Sequence, residues 1–201
     1  MKLPAIAISY TQKVPAAVFA EFEQLLASDG IHVQSEERDS DGPYAGIEWL
    51  VPTAVIVFLG KAYFDGFLKE MGEDHYSLLK QGLRSLYTRL VGPEAPKVTV
   101  LSTAGKASGA QKYSLLLSLL AESEDGLRFK LLIQSDASEA EYEASVNAFI
   151  AFLDAFYRRK LTADVVSELR NTRVSGKTVL LAYKSELGRV SPVDPLEGRG
   201  T

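Results

Sequence analysis

The chain has 201 residues, a formal net charge of −4 and no cysteine. The length fits one domain, and the lack of cysteine excludes disulfides, thiolate metal sites and cysteine nucleophiles. A hydrophobic share of 46%, with nine Phe and nine Tyr, suits a packed core rather than a disordered chain. The mild negative charge argues against a general nucleic-acid binder, which needs a concentrated basic face.

Residues 5–10 are short, apolar and rich in Ile, and predict a buried strand. The stretch from Met1 to Ile8 is too short for the apolar run of a secretory signal and lacks a small-residue cleavage site, so the expected location is the cytoplasm. Residues 14–28 place Val14, Val18, Phe22, Leu25 and Leu26 at helical spacing. Pro15 suits the first turn of that helix and Gly30 its C-terminal cap. Residues 31–35 read as a second strand, so the chain opens β-α-β. Residues 36–42 (EERDSDG) predict a solvated loop. Residues 44–71 carry two readings: a long helix kinked near Pro52, or a β-branched strand over 54–59 (AVIVFL). The helix is the preferred reading, and residues 63–71 are helical in both. The run from Trp49 to Gly60 is shorter than the roughly 20 apolar residues of a membrane-spanning helix. It predicts a buried core element and no membrane insertion. Residues 73–91 form a helix with Tyr76, Leu79, Leu83, Leu86 and Leu90 on one face, closed by Gly92 and Pro93.

The second half changes character. Residues 97–103 (KVTVLST) read as a strand, followed by a Gly/Ser/Lys loop to Lys112. Residues 113–122 and 127–134 are two more strands of an antiparallel three-strand meander, joined through Asp125-Gly126, a strong hairpin turn signal. Leu127, Phe129, Leu131 and Ile133 share one face of the last strand, and Arg128, Lys130, Leu132 and Gln134 the other. Ser138 and Glu141 have capping-box spacing. The helix they open carries Tyr142, Val146, Phe149, Ile150, Leu153, Phe156 and Tyr157 at helical intervals, with Arg158, Arg159 and Lys160 in its last turn. A short helix over 161–170 and a final strand over 178–184 follow. The tail, residues 191–201, is expected to be disordered. Together these elements predict one α/β domain of mixed α+β type over residues 1–201, with helices packed on a single mixed sheet.

The motifs that could carry chemistry are incomplete. Ser175-Gly176-Lys177-Thr178 resembles the end of a phosphate-binding loop, but Asn171 stands where that loop needs Gly, and a strand follows rather than a helix. The loop over 103–112 (TAGKASGAQK) has two Gly and two Lys without fixed spacing, and reads as a flexible hairpin loop. His32 and His75 are far apart in sequence, no H-E-x-x-H or G-x-S-x-G pattern occurs, and no cofactor or metal is expected. Asp65 and Lys69, four apart, read as a surface helix pair. Glu48, inside an apolar run, reads as facing solvent from a helix end, because an unpaired buried carboxylate is costly.

Three stretches in order loosely resemble a TIR domain. They are Ala5-Ile6-Ala7-Ile8-Ser9-Tyr10, then Glu37-Arg38-Asp39 with Gly42-Pro43, then Val55-Ile56-Val57-Phe58-Leu59 leading to Tyr63. The resemblance implies a flavodoxin-like fold and NAD hydrolysis by a helix glutamate, which would be Glu70. The chain departs from the family in the reversed Gly-Pro order, in Phe67-Leu68 where the family has Trp-Cys, and in a short spacing from Tyr63 to Glu70. The match stops after Met71, so it covers about a third of the chain. The reading carried forward is a non-catalytic protein-interaction or accessory domain, whose partner is another protein or a second copy of itself. The alternative is a TIR-like NAD-hydrolysing enzyme with Glu70 as its catalytic carboxylate. For the first reading, the expected contact surface lies on the meander. If no helix covers that side, Leu116, Leu120 and Leu132 form an exposed apolar patch, with Lys106 and Lys112 on the adjoining loop; the other reading is that the helix from Ser138 to Arg158 or the long first-half helix covers this face.

Overall fold

A computed structural model describes residues 4–28, 30–38, 53–67, 73–91, 112–172, 174 and 177–194. Buried Ile6, Ile8 and Tyr10 alternate with half-buried Ala7, Ser9 and Thr11 to make β1 (Ile6–Thr11). A single 3-10 turn, Ala16–Phe19, leads into α1 (Ala20–Ala27), which buries Phe22 and Leu26. Gly30, at φ 77, turns the chain out of this helix as expected. Then β2 (Val33–Arg38) pairs parallel with β1, so Glu36, Glu37 and Arg38 belong to a strand and not to the predicted loop.

The largest correction concerns residues 54–59. The preferred helix does not form, and β3 (Val55–Leu59) takes its place. Val55, Ile56 and Val57 are β-branched and stiff, which suits a pleated sheet. β3 is also paired on both edges, antiparallel to β1 and parallel to β4 (Tyr113–Glu122). Its unbroken apolar run reads in sequence like a buried helix segment. A π-helical turn, Tyr63–Phe67, and α2 (Glu73–Val91) connect β3 to β4.

The hairpin of β4 and β5 (Arg128–Gln134) forms as predicted, with Gly126 at φ 79 in its turn. The predicted first strand of the meander, residues 97–103, lies outside the described residues. α3 (Glu139–Tyr157) opens on the expected capping box: Ser138 Oγ accepts from the Glu141 N–H at 3.3 Å, and Glu141 Oε2 accepts from the Ser138 N–H at 2.8 Å. Then come α4 (Ala163–Asn171), β6 (Thr178–Lys184) and β7 (Arg189–Pro192). The sequence reading did not foresee β7. It takes Ser191 and Pro192 out of the expected tail and pairs them with Ala182 and Leu181.

The seven strands form one sheet in the order β2-β1-β3-β4-β5-β6-β7. Its pairing alternates. β1 with β2, β3 with β4 and β5 with β6 are parallel, and the joints between these pairs are antiparallel. Each parallel pair is bridged by helix, as a parallel connection requires: α1, then α2, then α3 with α4. This is the predicted mixed α/β sheet with helices packed on it. Among the described residues, no helix is long and apolar enough to cross a membrane.

One core joins the helices to one face of the sheet. Ile6, Ile8, Val55, Val57, Leu117, Leu119, Phe129, Leu131, Val179 and Leu181 meet Phe22, Leu83, Leu86, Phe149 and Leu153 there. Gly82 of α2 lets α1 approach closely: a Cβ at that position would lie 2.9 Å from the Phe22 ring. α2 and α3 are locked by Tyr142, whose ring stacks on Tyr87 at 3.9 Å and whose buried hydroxyl donates to the Leu83 carbonyl at 2.9 Å. Burial pushes the Tyr142 hydroxyl pKa up, so it stays a donor through the physiological range. Tyr142→Phe is expected to cost about 1 kcal/mol, the net worth of one buried hydrogen bond. Urea unfolding followed by circular dichroism checks this, and an unchanged midpoint would show that the bond adds nothing.

Candidate functional site

The sheet face opposite the main core is the first place to look, because the predicted contact residues lie on β4 and β5. Alternation puts Ser118 and Leu120 of β4, Lys130 and Leu132 of β5, and Leu180 and Ala182 of β6 on that face, in ladder rows Ser118–Leu132–Ala182 and Leu120–Lys130–Leu180. Tyr113, Leu132, Leu180 and Ala182 pack there as a second, smaller cluster, with Leu115 and Val193 against it. The leucines of the predicted patch are buried to different depths. Leu132 is 2% exposed and belongs to this cluster. Leu116 and Leu120 are half-buried. Leu116 sits at a register shift between Tyr113 and Ser118, where its N–H bonds to Ser114 Oγ. Lys112 is exposed, with its ammonium 5.5 Å from the Tyr113 ring. Lys106 and Glu70 lie outside the described residues.

Two features of this face were not legible beforehand. Lys130 is 1% exposed, although its neighbours by alternation read as a mixed, wet face. The buried Thr53 and Ser118 hydroxyls bond to each other at 2.8 Å, and the Arg38 guanidinium donates to the Thr53 carbonyl. Thr53 and Ser118 are far apart in sequence, so no local pattern could have paired them.

A second candidate is a groove of about 260 Å³ between α2 and α3. Tyr142 and Val146 line its apolar part, and Lys80, Gln81, Arg84, Glu143 and Asn147 its polar part. Arg84 Nε lies 2.6 Å from Glu139 and 3.1 Å from Glu143, so this groove is rimmed by paired charges of both signs. Lys80 sits 4.2 Å over the Tyr76 ring. A third candidate is an open cleft of about 620 Å³ where α4 meets the β6–β7 hairpin, lined by Asp164, Glu168, Lys184, Glu186, Leu187 and Ser191 among others. Arg189 is its organising group. It grips Glu168 with two nitrogens, at 2.9 and 2.5 Å, and approaches Asp164 at 3.5 Å.

The electrostatics of the two clefts agree with this pairing. The hydrogen bonds from Arg189 hold the Glu168 carboxyl below its usual range. Asp164 is lowered by its bond with Thr162 and, more weakly, by Arg189. Arg84 is raised by Glu139. These shifts favour the charged forms, as fastening ion pairs do, whereas a proton-transfer group at neutral pH needs its pKa moved toward neutrality. Burial pushes the Tyr157 hydroxyl up to about 12, and it donates to the Glu122 carbonyl at 3.0 Å.

The remaining sequence candidates fall as follows. Lys177 is exposed in a left-handed turn and runs straight into β6, so the phosphate-loop-like stretch enters a strand as expected. Asp65 pairs with Lys61 on its N-terminal side, and Lys61 also reaches Glu124 at 3.4 Å, while Lys69 and Glu48 lie outside the described residues. His32 is exposed. Among the described residues, no three His, Asp or Glu side chains gather as a metal site. The strand that the TIR resemblance needs is present at 55–59, and the order β2-β1-β3-β4-β5 is that of a flavodoxin-like sheet. The antiparallel joints β1–β3 and β4–β5 depart from the parallel sheet of that fold. Compared with known proteins, the chain matches no family model, no curated protein and no solved structure.

Proposed function

We propose that the chain is a non-catalytic protein-interaction or accessory domain that makes contact through the sheet face opposite its main core. One observation carries this reading. The described helices build the main core on one side, and the other side keeps apolar side chains of its own, with Phe58, Leu116 and Leu120 half-buried beside the Leu132 cluster. A sheet with parallel pairs ordinarily has both faces covered, and half-buried apolar side chains beside a packed cluster suit a contact edge. The partner is another protein or a second copy of the chain. The test is the double variant Leu116→Ser, Leu120→Ser, studied by sedimentation velocity and by affinity capture. The variant should stay folded, at a cost of about 2 kcal/mol, and lose the self-association or the captured partner. A wild-type chain that stays monomeric and captures nothing sinks the reading, and so does a variant that binds as the wild type does.

The alternative, a TIR-like NAD-hydrolysing enzyme with Glu70 as its carboxylate, draws support from the central strand over 55–59. Release of nicotinamide from NAD by the purified chain, abolished in Glu70→Ala, would favour it over the interaction reading.

A further inference from the structure

Two non-glycine residues among those described have a left-handed backbone, Arg159 at φ 57 and Lys177 at φ 62. They bracket α4. A side chain with a Cβ is disfavoured in that region, and such positions cluster where a chain must switch direction. Arg159 follows the last turn of α3, where the Lys160 N–H bonds back to the Ala155 carbonyl. Lys177 is tied down at the other end by its carbonyl, which accepts from the Arg128 N–H at 2.8 Å. Both ends of the excursion are therefore anchored, and the helix between them is not held strongly by its own length. α4 has nine residues, fewer than the roughly 12–15 that an isolated helix needs, so its helical state depends on docking.

That docking is thin. Val165 is the one buried residue of α4, and Leu161 and Leu169 are partly buried against the main core. The polar hold comes from β7, chiefly from Arg189, with Ser191 also bonding Glu168. Arg189 reaches Glu168 with two nitrogens, Asp164 at 3.5 Å and Ser191 Oγ at 3.0 Å. Beside it lies the widest cleft described above, with Leu187 exposed at the hairpin turn.

We propose that residues 161–172 form a hinged strap, latched by Arg189, which undocks from the β6–β7 hairpin and unfolds as a unit while the sheet stays intact. Opening bares Val165 and Leu169 on the strap and Ser191 and Pro192 on the strand. Local opening of this kind belongs to elements with few buried contacts and a low opening free energy. The proposal concerns the β7 end of the sheet, whereas the half-buried side chains of the sheet-face reading lie on β3 and β4.

Amide hydrogen exchange on the full chain, read by mass spectrometry at neutral pH, tests it. In the wild type, amides of residues 163–171 should exchange together and faster than those of α3 and β5. Arg189→Met should raise their rate about tenfold or more and leave α3, β4 and β5 unchanged. Glu168→Gln, a milder change at the other end of the same grip, should raise exchange in the same residues by a smaller factor. The strap is overturned if α4 exchanges no faster in Arg189→Met, or if the rise is shared by the whole sheet. Should Arg189→Met fail to fold, Glu168→Gln decides alone: no rise confined to α4 overturns the proposal.

Discussion

Leu132→Ser should lower stability by about 4 kcal/mol, combining the loss of a buried leucine with the burial of a hydroxyl. The residue is 2% exposed and packs with Tyr113, Leu180 and Ala182. For a chain of this size the loss corresponds to a melting point roughly 8–16 °C lower. Leu120→Ser, on the same face but half-buried, is the matched comparison and should cost about 1 kcal/mol. The contrast between two leucines on one face separates a packed second cluster from a merely apolar surface. If Leu132→Ser melts with the wild type, the second cluster is not a core, and the contact surface extends across it.

Gly60→Ala should cost about 3 kcal/mol, a large effect for one added methyl. The reason is space and not backbone conformation. A Cβ on Gly60 would lie 2.3 Å from the Pro4 carbonyl oxygen, 3.3 Å from that of Ala5 and 3.2 Å from the Phe58 ring. Two of these atoms are backbone and cannot swing aside. The Gly60 N–H also donates to the Ala5 carbonyl at 2.8 Å, so relief of the clash pulls apart the end of the β1–β3 joint. Gly188→Ala serves as a control, because Gly188 has φ 62 but open space around its Cβ position. Thermal unfolding of both variants distinguishes crowding from strain. Gly60→Ala melting with or above Gly188→Ala would show that the β1–β3 joint yields.

Local chemistry made much of this fold legible. The capping box of α3, the Asp125-Gly126 turn and the alternation along β5 each rest on neighbours within a few residues, and each formed as predicted. Residues 54–59 show no period of two because both sides of the strand are apolar, Val55 and Val57 toward the main core and Ile56 and Phe58 away from it. What marks β3 as a strand is its pairing with β1 and β4, which no window of sequence contains. The same reason hid Lys130 and Arg189. Lys130 is flanked in register by Leu120 and Leu180, from strands before and after it. Arg189 meets carboxylates that lie a whole strand and a turn earlier. Alternation puts Leu120 and Leu132 on one face, but how deeply each is buried depends on that sheet-wide register.

The alternating sheet also fixes which parts of the chain find each other quickly. The β4–β5 and β6–β7 joints close across short turns, Ser123–Gly126 and Ser185–Gly188, and hairpins of that kind form in about 1–10 μs. The β1–β3 joint spans the whole of α1 and β2, so its closure carries a larger entropic cost. Folding should therefore begin in the second half of the chain, with β4 to β7 and α3 giving β3 an edge to join, and the β1-α1-β2 unit should dock last. A chain stalled at that final step would show β3 with one bare edge, the state in which a strand of Val, Ile, Val, Phe and Leu is most prone to pair with the wrong molecule.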